Sequence, residues 1–397
     1  MDNHGNDSAP PGSKKLSPVL IIIIAAVIIT VIAIPVINIL GKGKRGTNNQ
    51  PPIEPKKDSV TIKLIFAGDL MGHMPWINSG LHNGNYDYDT TYTYIKPYIQ
   101  SADYAIVNLE TTLNGPPYTG YPMFTSPDAL PRDAKEAGFD FMALANNHCN
   151  DRGNKGIVRT NYVLDSLKIP HTGSFNDTAQ YESTYPPVVD VKGVKIAILN
   201  YTYGTNGLTV YPPNVVNIID SVSILDGIKR AKAKKPDMII SVVHWGNEYQ
   251  TKEGDWQTKF AKLMAANGVD LIFGAHPHVV QPIKTLASAK DSSQKVPVFY
   301  SCGNFISNQD EINRDGGIFA EVTISKVDGK TWISDFAYLP FYIRQNQADR
   351  SFMAIPLNHW ERDGASYNLS NGDSLLAVRF LNGTKKTMGD GVEMSKF

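Results

Sequence analysis

Residues Met238 to His278 read MIISVVHWGNEYQTKEGDWQTKFAKLMAANGVDLIFGAHPH. The stretch opens on a short apolar run, MIISVV, rich in β-branched residues, which reads as a buried strand. Asp255 to Asn267 then places Phe260, Leu263 and Met264 on one helical face, and Gly268 stops the helix. A second apolar run, VDLIF, follows. Strand, helix, strand is the unit from which parallel sheets are built. Both strands end on polar groups: His244-Trp245-Gly246 after the first, Gly274-Ala275-His276-Pro277-His278 after the second.

The same grammar runs outward. IKLIFA is followed by Gly68-Asp69-Leu70-Met71, YAIV by Asn108-Leu109-Glu110, and FMALA by Asn146-Asn147-His148 with Asp151 behind it. Helices are expected over Asp128–Ala137, Asn161–Leu167 and Ile224–Lys235, and strands over Val194–Tyr203 and Val296–Ser301. After Gly316 the pattern changes to long strands around an Asp328-Gly329 turn, the signature of an antiparallel hairpin. The expected fold class is therefore α/β, with two packed sheets and helices outside. The tail from Asn382 to Phe397 is polar and expected to be loose.

The chain has 397 residues, 42% of them hydrophobic, enough for a substantial core. Lysine plus arginine and aspartate plus glutamate number 38 each, so composition gives no ground for nucleic-acid binding. Residues 1–17 are polar and read as a cytoplasmic tail. Residues 18–40 are almost wholly aliphatic, long enough to cross a hydrocarbon layer of ~30 Å as an uncleaved signal anchor in membrane lipid. Residues 41–59 read as a flexible stalk, 60–345 as the folded domain and 346–397 as a C-terminal extension. Lys42, Lys44 and Arg45 after the apolar run outnumber Lys14 and Lys15 before it, which by charge alone favours a cytoplasmic domain. Cys149 and Cys302 both lie in motif loops, leaving a bridge between them open.

Carboxylate, amide and imidazole groups delivered from several strand ends are what a divalent cation needs. The candidate ligands are Asp69, Glu110, Asn147, His244, His276 and His278, for one or two ions of Mn, Zn, Fe or Mg. His276 and His278, two residues apart in a Gly- and Pro-constrained loop, are the strongest single signal. His148, with Asp151 nearby, is the candidate for proton transfer to a leaving oxygen. Asn108, Asn146, Ser301 and Asn304 are expected to contact substrate. His73 lies near the first motif and could join the site, and Tyr118, Tyr121 and Phe124 could wall a cleft.

The segments FAGDLM, VNLETTL, PMFTSPDALPRDAKEAGFDFMALANNH, VVHWGNEYQ, GVDLIFGAHPHVVQPI and VFYSCGNFI resemble, in order, the CapA family of capsule and poly-gamma-glutamate synthesis proteins. The resemblance implies a fold similar to the calcineurin-like metallophosphoesterases, a four-layer αββα sandwich. It implies a first cation held by Asp69 and His278, a second by Asn147, His244 and His276, Glu110 near the bridging place, and His148 beside the leaving group. It also implies a soluble domain outside the cytoplasm on a single-pass cell-membrane protein, with polymer-synthase subunits and an anionic polymer as partners. Two departures stand out: Met71 where that superfamily has a histidine, and Glu110 where it has an aspartate. Two readings stay open, a metal-dependent hydrolase and a non-catalytic component that holds or exports polymer, the latter through Lys229, Arg230, Lys232, Lys234 and Lys235. A phosphoesterase outside capsule synthesis is a third.

Overall fold

A computed structural model describes residues 59–346 and 351–397. The expected tail, anchor and nearly all of the stalk therefore lie outside the described residues. Among the described residues no helix is long and apolar enough to cross a membrane.

Fourteen strands of the described residues form two sheets. In the first, β1 (Ser59–Leu70), β2 (Tyr104–Leu109), β3 (Phe141–Ala143) and β4 (His171–Thr172) run parallel. The second holds β5 (Val188–Val191), β6 (Val194–Thr202), β7 (Met238–His244), β8 (Leu271–Ala275), β9 (Ile283–Ala287) and β10 (Lys295–Phe299). The chain then returns to the first sheet with β11 (Asn304–Ile306), β12 (Gly316–Val327), β13 (Lys330–Asn346) and β14 (Ser351–Pro356). The first sheet has the order β14-β13-β12-β1-β2-β3-β4, with β11 pairing the end of β1. The second has the order β9-β10-β8-β7-β6-β5. Its four central strands, β10, β8, β7 and β6, are parallel.

The two sheets pack face to face. Alternation sends Leu64 and Phe66 of β1 and Ile106 of β2 inward, against Ile198, Ile240, Val242 and Phe273 of the second sheet. Phe66 and Phe273 stack with ring centroids 5.0 Å apart. The opposite side of β1, Ile65 and Ala67, lies under α1 (Ala129–Ala137) and α2 (Gly153–Ser166). Leu199 and Val243 of the second sheet lie under α3 (Ser221–Ala233) and α4 (Asp255–Ala266). Strands buried on both faces need unbroken apolar runs, which is why IKLIFA and MIISVV carry so little polarity. The observed layering is helix, sheet, sheet, helix.

Three expectations shift. Helix α2 begins eight residues before Asn161, because Gly153 and Gly156 hide its first turns from a periodicity argument. The segment beyond residue 345 is woven into the domain: β14 pairs with β13 from Phe341↔Pro356 to Asn346↔Ser351. The C-terminus is not loose. Helix α5 (Asn371–Met388) buries Ala377, Phe380 and Leu381 in the inter-sheet core. Beyond it, Ser395 N donates to Tyr338 O at 2.8 Å, and Phe397 packs on the Tyr98 ring. The hairpin forms as read, with Val327 opposite Lys330 and both Asp328 and Gly329 left-handed.

Candidate metal centre

Parallel strands deliver their loops to one edge, and here two sheets do so side by side. Asp69 ends β1, Glu110 follows β2, and Asn147 lies beyond β3. From the second sheet, His244 ends β7, while His276 and His278 follow β8. All six are buried. His276 and His278 both take left-handed backbone, with φ of 101° and 58°. That costs a non-glycine residue energy, and such conformations gather at functional sites.

The contacts cross between the sheets. Asp69 accepts the Asn108 amide at 2.8 Å and the His276 main-chain N–H at 3.2 Å, and it lies 3.1 Å from His278 Nδ1. His244 Nε2 is 2.7 Å from Asn147 Oδ1 and 3.4 Å from Glu110 Oε1. The His244 and His276 rings are 4.8 Å apart. Tyr203 lies against His276 at 4.5 Å. Close approach at this edge needs glycine: a Cβ on Gly68 would overlap the Gly303 carbonyl.

Electrostatics follow from burial. Desolvation pushes the Asp69 carboxyl up, but His278, His244 and the Asn108 amide outweigh it and hold the group well below the carboxylate range. Burial, then the charge of Asp69, pushes Glu110 well above it. Burial and neighbouring imidazoles hold His244 well below its ordinary value and His276 down to about 3. Neutral His244 and His276 and ionised Asp69 are in the protonation state that a cation needs, whereas Glu110 would give up a proton on binding one.

Both Glu110 oxygens, and His276 Nδ1, are buried without a hydrogen-bond partner. Buried polar groups are seldom left unsatisfied, so such atoms call for an explanation. Two sets of donors each lie within 4.8 Å of one another: Glu110, His276 and His278, and Asp69, Glu110 and His244. A divalent cation fits both the unsatisfied atoms and the chemistry of these donors. The sets share Glu110 but group the histidines differently from the resemblance, which paired Asp69 with His278.

The remaining expected residues divide by role. His148 Nδ1 lies 2.8 Å from Asp151 Oδ2, which also accepts the Phe124 N–H at 2.6 Å. Phe124 packs edge-on against His148 at 4.6 Å and His73 at 5.0 Å, whereas Tyr121 is 80% exposed and away from this cluster's interior. His73 does lie by the site: burial, then the charges of His278 and His148, pull it down to about 4.

The expected substrate contacts instead build the walls. Asn146 donates to Leu109 O at 2.7 Å and accepts from His148 N at 3.1 Å. Ser301 Oγ donates to Val279 O at 2.7 Å and accepts the Gly303 N–H. Asn304 Oδ1 meets His278 Nδ1 at 3.1 Å, and its amide nitrogen is taken by Gln309 and Arg314 O. Asn108 reaches Asp69 and His244. Strand ends leave main-chain groups to be satisfied, and these side chains satisfy them or orient ligands.

Sequence reasoning missed Asn200, inside KIAILNYTY. Its Oδ1 accepts from Leu144 N and Ala145 N at 2.9 and 2.7 Å, and its Nδ2 donates to Val242 O at 3.1 Å. An asparagine facing inward from a buried strand was the available signal. Cys149 and Cys302 are free and buried. On α3 Arg230 pairs with Asp226 and Glu182, and just past its end Lys234 donates to Pro186 O, so that basic face is partly spent on the protein itself.

Residues 63–309 match the model of a family described as bacterial capsule synthesis protein PGA_cap. The chain is 27% identical over 316 residues to a Bacillus anthracis protein named capsule biosynthesis protein CapA, covering 76% of this chain and 68% of that one. It is 27% identical over 296 residues to the PGA biosynthesis protein CapA of Bacillus subtilis (strain 168), covering 70% and 72%. Among solved structures, the calcineurin-like phosphoesterase YfkN from Bacillus subtilis aligns with a TM-score of 0.42 and 14% identity, over 83% of this chain and 98% of that one. With well over half of its length matched, this chain belongs to the PGA_cap family of bacterial capsule synthesis proteins.

Proposed function

We propose that the protein is a membrane-anchored component of anionic-polymer (capsule or poly-gamma-glutamate) synthesis or export, with a divalent-metal hydrolase site at the joint edge of its two sheets. The observation that carries the site is Glu110: a fully buried carboxylate with no hydrogen-bond partner, ringed by His244, His278 and the His276 loop. The polymer is drawn from the names of the Bacillus relatives. The anchor and the outward-facing domain rest on the apolar run at residues 18–40 and on the family.

Asp69, Glu110, Asn147, His244, His276 and His278 would hold the cation. When bound, it supplies Lewis acidity, polarising a phosphoryl or acyl oxygen and making water nucleophilic near neutral pH. Asp151 fixes the His148 ring through Nδ1, leaving Nε2 to exchange a proton with the departing oxygen. Phe124 keeps that ring from rotating away. Asn304 Oδ1 orients His278 through Nδ1, as outer partners of metal-bound imidazoles do.

The test is metal analysis of the purified full-length protein beside H276A and H278A variants, with polymer production followed in cells carrying each. The expected result is metal in the parent, and metal and polymer both lost in folded variants. Polymer and metal that survive both substitutions end the catalytic reading.

A further inference from the structure

Arg314 lies in the loop between β11 and β12, and its guanidinium carbon sits 3.8 Å above the Tyr249 ring. Tyr249 is tied to the histidine loop: its N–H donates to Pro277 O at 2.8 Å, and its ring tilts over His278 at 6.2 Å. It holds φ of 64°, a left-handed conformation unusual for an aromatic residue. The Arg314 main chain is tied to the same histidine, since Arg314 O accepts the amide of Asn304, whose oxygen orients His278. Side chain and main chain thus reach His278 by separate routes.

Among the described residues, Arg314 pairs with Glu311, at 3.1 Å and three residues away. Glu311 is 54% exposed, and Arg314 itself 23% exposed. An exposed carboxylate is a weak, replaceable counterion. A stacked guanidinium is a preorganised fork for an oxyanion. We infer that Arg314 is the oxyanion-recognition arm of this site, held by Tyr249 and occupied by Glu311 until a phosphoryl or carboxylate group of the substrate displaces it. The inference rests on the metal-site reading and adds the class of group that the site selects.

Isothermal titration of the manganese-loaded full-length protein tests it, with inorganic phosphate in one arm and glutarate in the other to separate the two sources of oxyanion. Loss of a charge-assisted bidentate contact predicts roughly tenfold or greater weakening in R314Q. R314K retains charge but not the fork or the stacking, and falls between. E311Q removes the competitor and tightens binding a few-fold. Metal content is measured on every sample. A parent that takes up no metal sinks the functional proposal and this inference with it. Metal retained, with R314Q binding both anions as the parent does, or with the parent binding neither, overturns the inference alone.

Discussion

Glu110 Oε1 lies 3.4 Å from His244 Nε2, yet neither oxygen of Glu110 receives a hydrogen bond. Burial and the charge of Asp69 both resist ionisation of this carboxyl. In E110Q that electrostatic cost disappears together with the shared donor. Outer-partner changes at metal sites cost roughly 10–100-fold in affinity, so losing a direct donor costs at least about 100-fold. The metal-free variant is expected to melt no lower than the metal-free parent. Titration of metal into both proteins, with melting curves, checks both halves; unchanged affinity removes Glu110 from the ligand set.

Asp151 orients His148 without belonging to either compact donor set. D151N keeps the size and one acceptor for the Phe124 N–H, so the loop stays closed. General acid–base help is worth roughly 100-fold or more, and turnover of a bis(p-nitrophenyl) phosphate probe is expected to fall by about that factor with metal content unchanged. Equal turnover in variant and parent removes the Asp151 carboxylate as the group that supports His148 in proton transfer.

Acid sensitivity follows from the imidazoles. His276 is held down to about 3 and His73 to about 4, and His244 well below 6.5, by burial first and neighbouring positive charge second. Between those values and 6.5 the unfolded chain binds protons that the native protein refuses. Stability therefore rises with pH across this window, is fully present above it, and is lost as pH falls. At the site Glu110 acts in the opposite sense, one group against three; elsewhere Asp133, Asp140, Asp270 and Asp315, raised by burial, also oppose the histidines, and His171, lowered by burial, joins them. The thermal midpoint of the chelator-treated protein should drop steadily on acidification below pH 6.5. In H73F the slope should be shallower. A flat profile contradicts the neutral-imidazole assignment.

Asn200 joins the sheets at the level of the site. In N200A, the Ala145 N–H and the Val242 carbonyl lose the amide, while the Leu144 N–H keeps Thr172 O at 2.9 Å. An unsatisfied buried group costs about 1–3 kcal/mol, so the loss is expected to be roughly 2–5 kcal/mol. Denaturant unfolding measures it. A loss under about 0.5 kcal/mol, the size of a neutral surface change, would show that water or a shifted loop replaces the amide.

The two-sheet α/β plan was legible because strands buried on both faces leave unmistakable apolar runs, and because Gly138, Pro236 and Gly268 punctuate the helices. Glycine worked against the reading in α2, where Gly153 and Gly156 masked two helical turns. The donor positions were legible for a related reason: a carboxylate, amide or imidazole directly after IKLIFA or MIISVV has few places to go but the sheet edge. What those residues do there was less legible. Asn146 and Ser301 carry the right chemistry for substrate but spend it on main-chain groups, a choice set by three-dimensional neighbours. Tyr249 and Arg314 follow no strand end, and only the folded chain brings them to His278. The docked C-terminus was missed because its apolar anchors beyond Asn382, Met388 and Phe397, are widely spaced in polar sequence.

The acidic and amide donors belong to the first sheet, and the three imidazoles to the second. A nascent chain therefore emerges from the ribosome with Asp69, Glu110 and Asn147 long before His244, His276 and His278 exist. No early fragment possesses a complete coordination set. Under the metal-site proposal the full donor set exists only once the two sheets have met, so complete coordination would report on correct assembly.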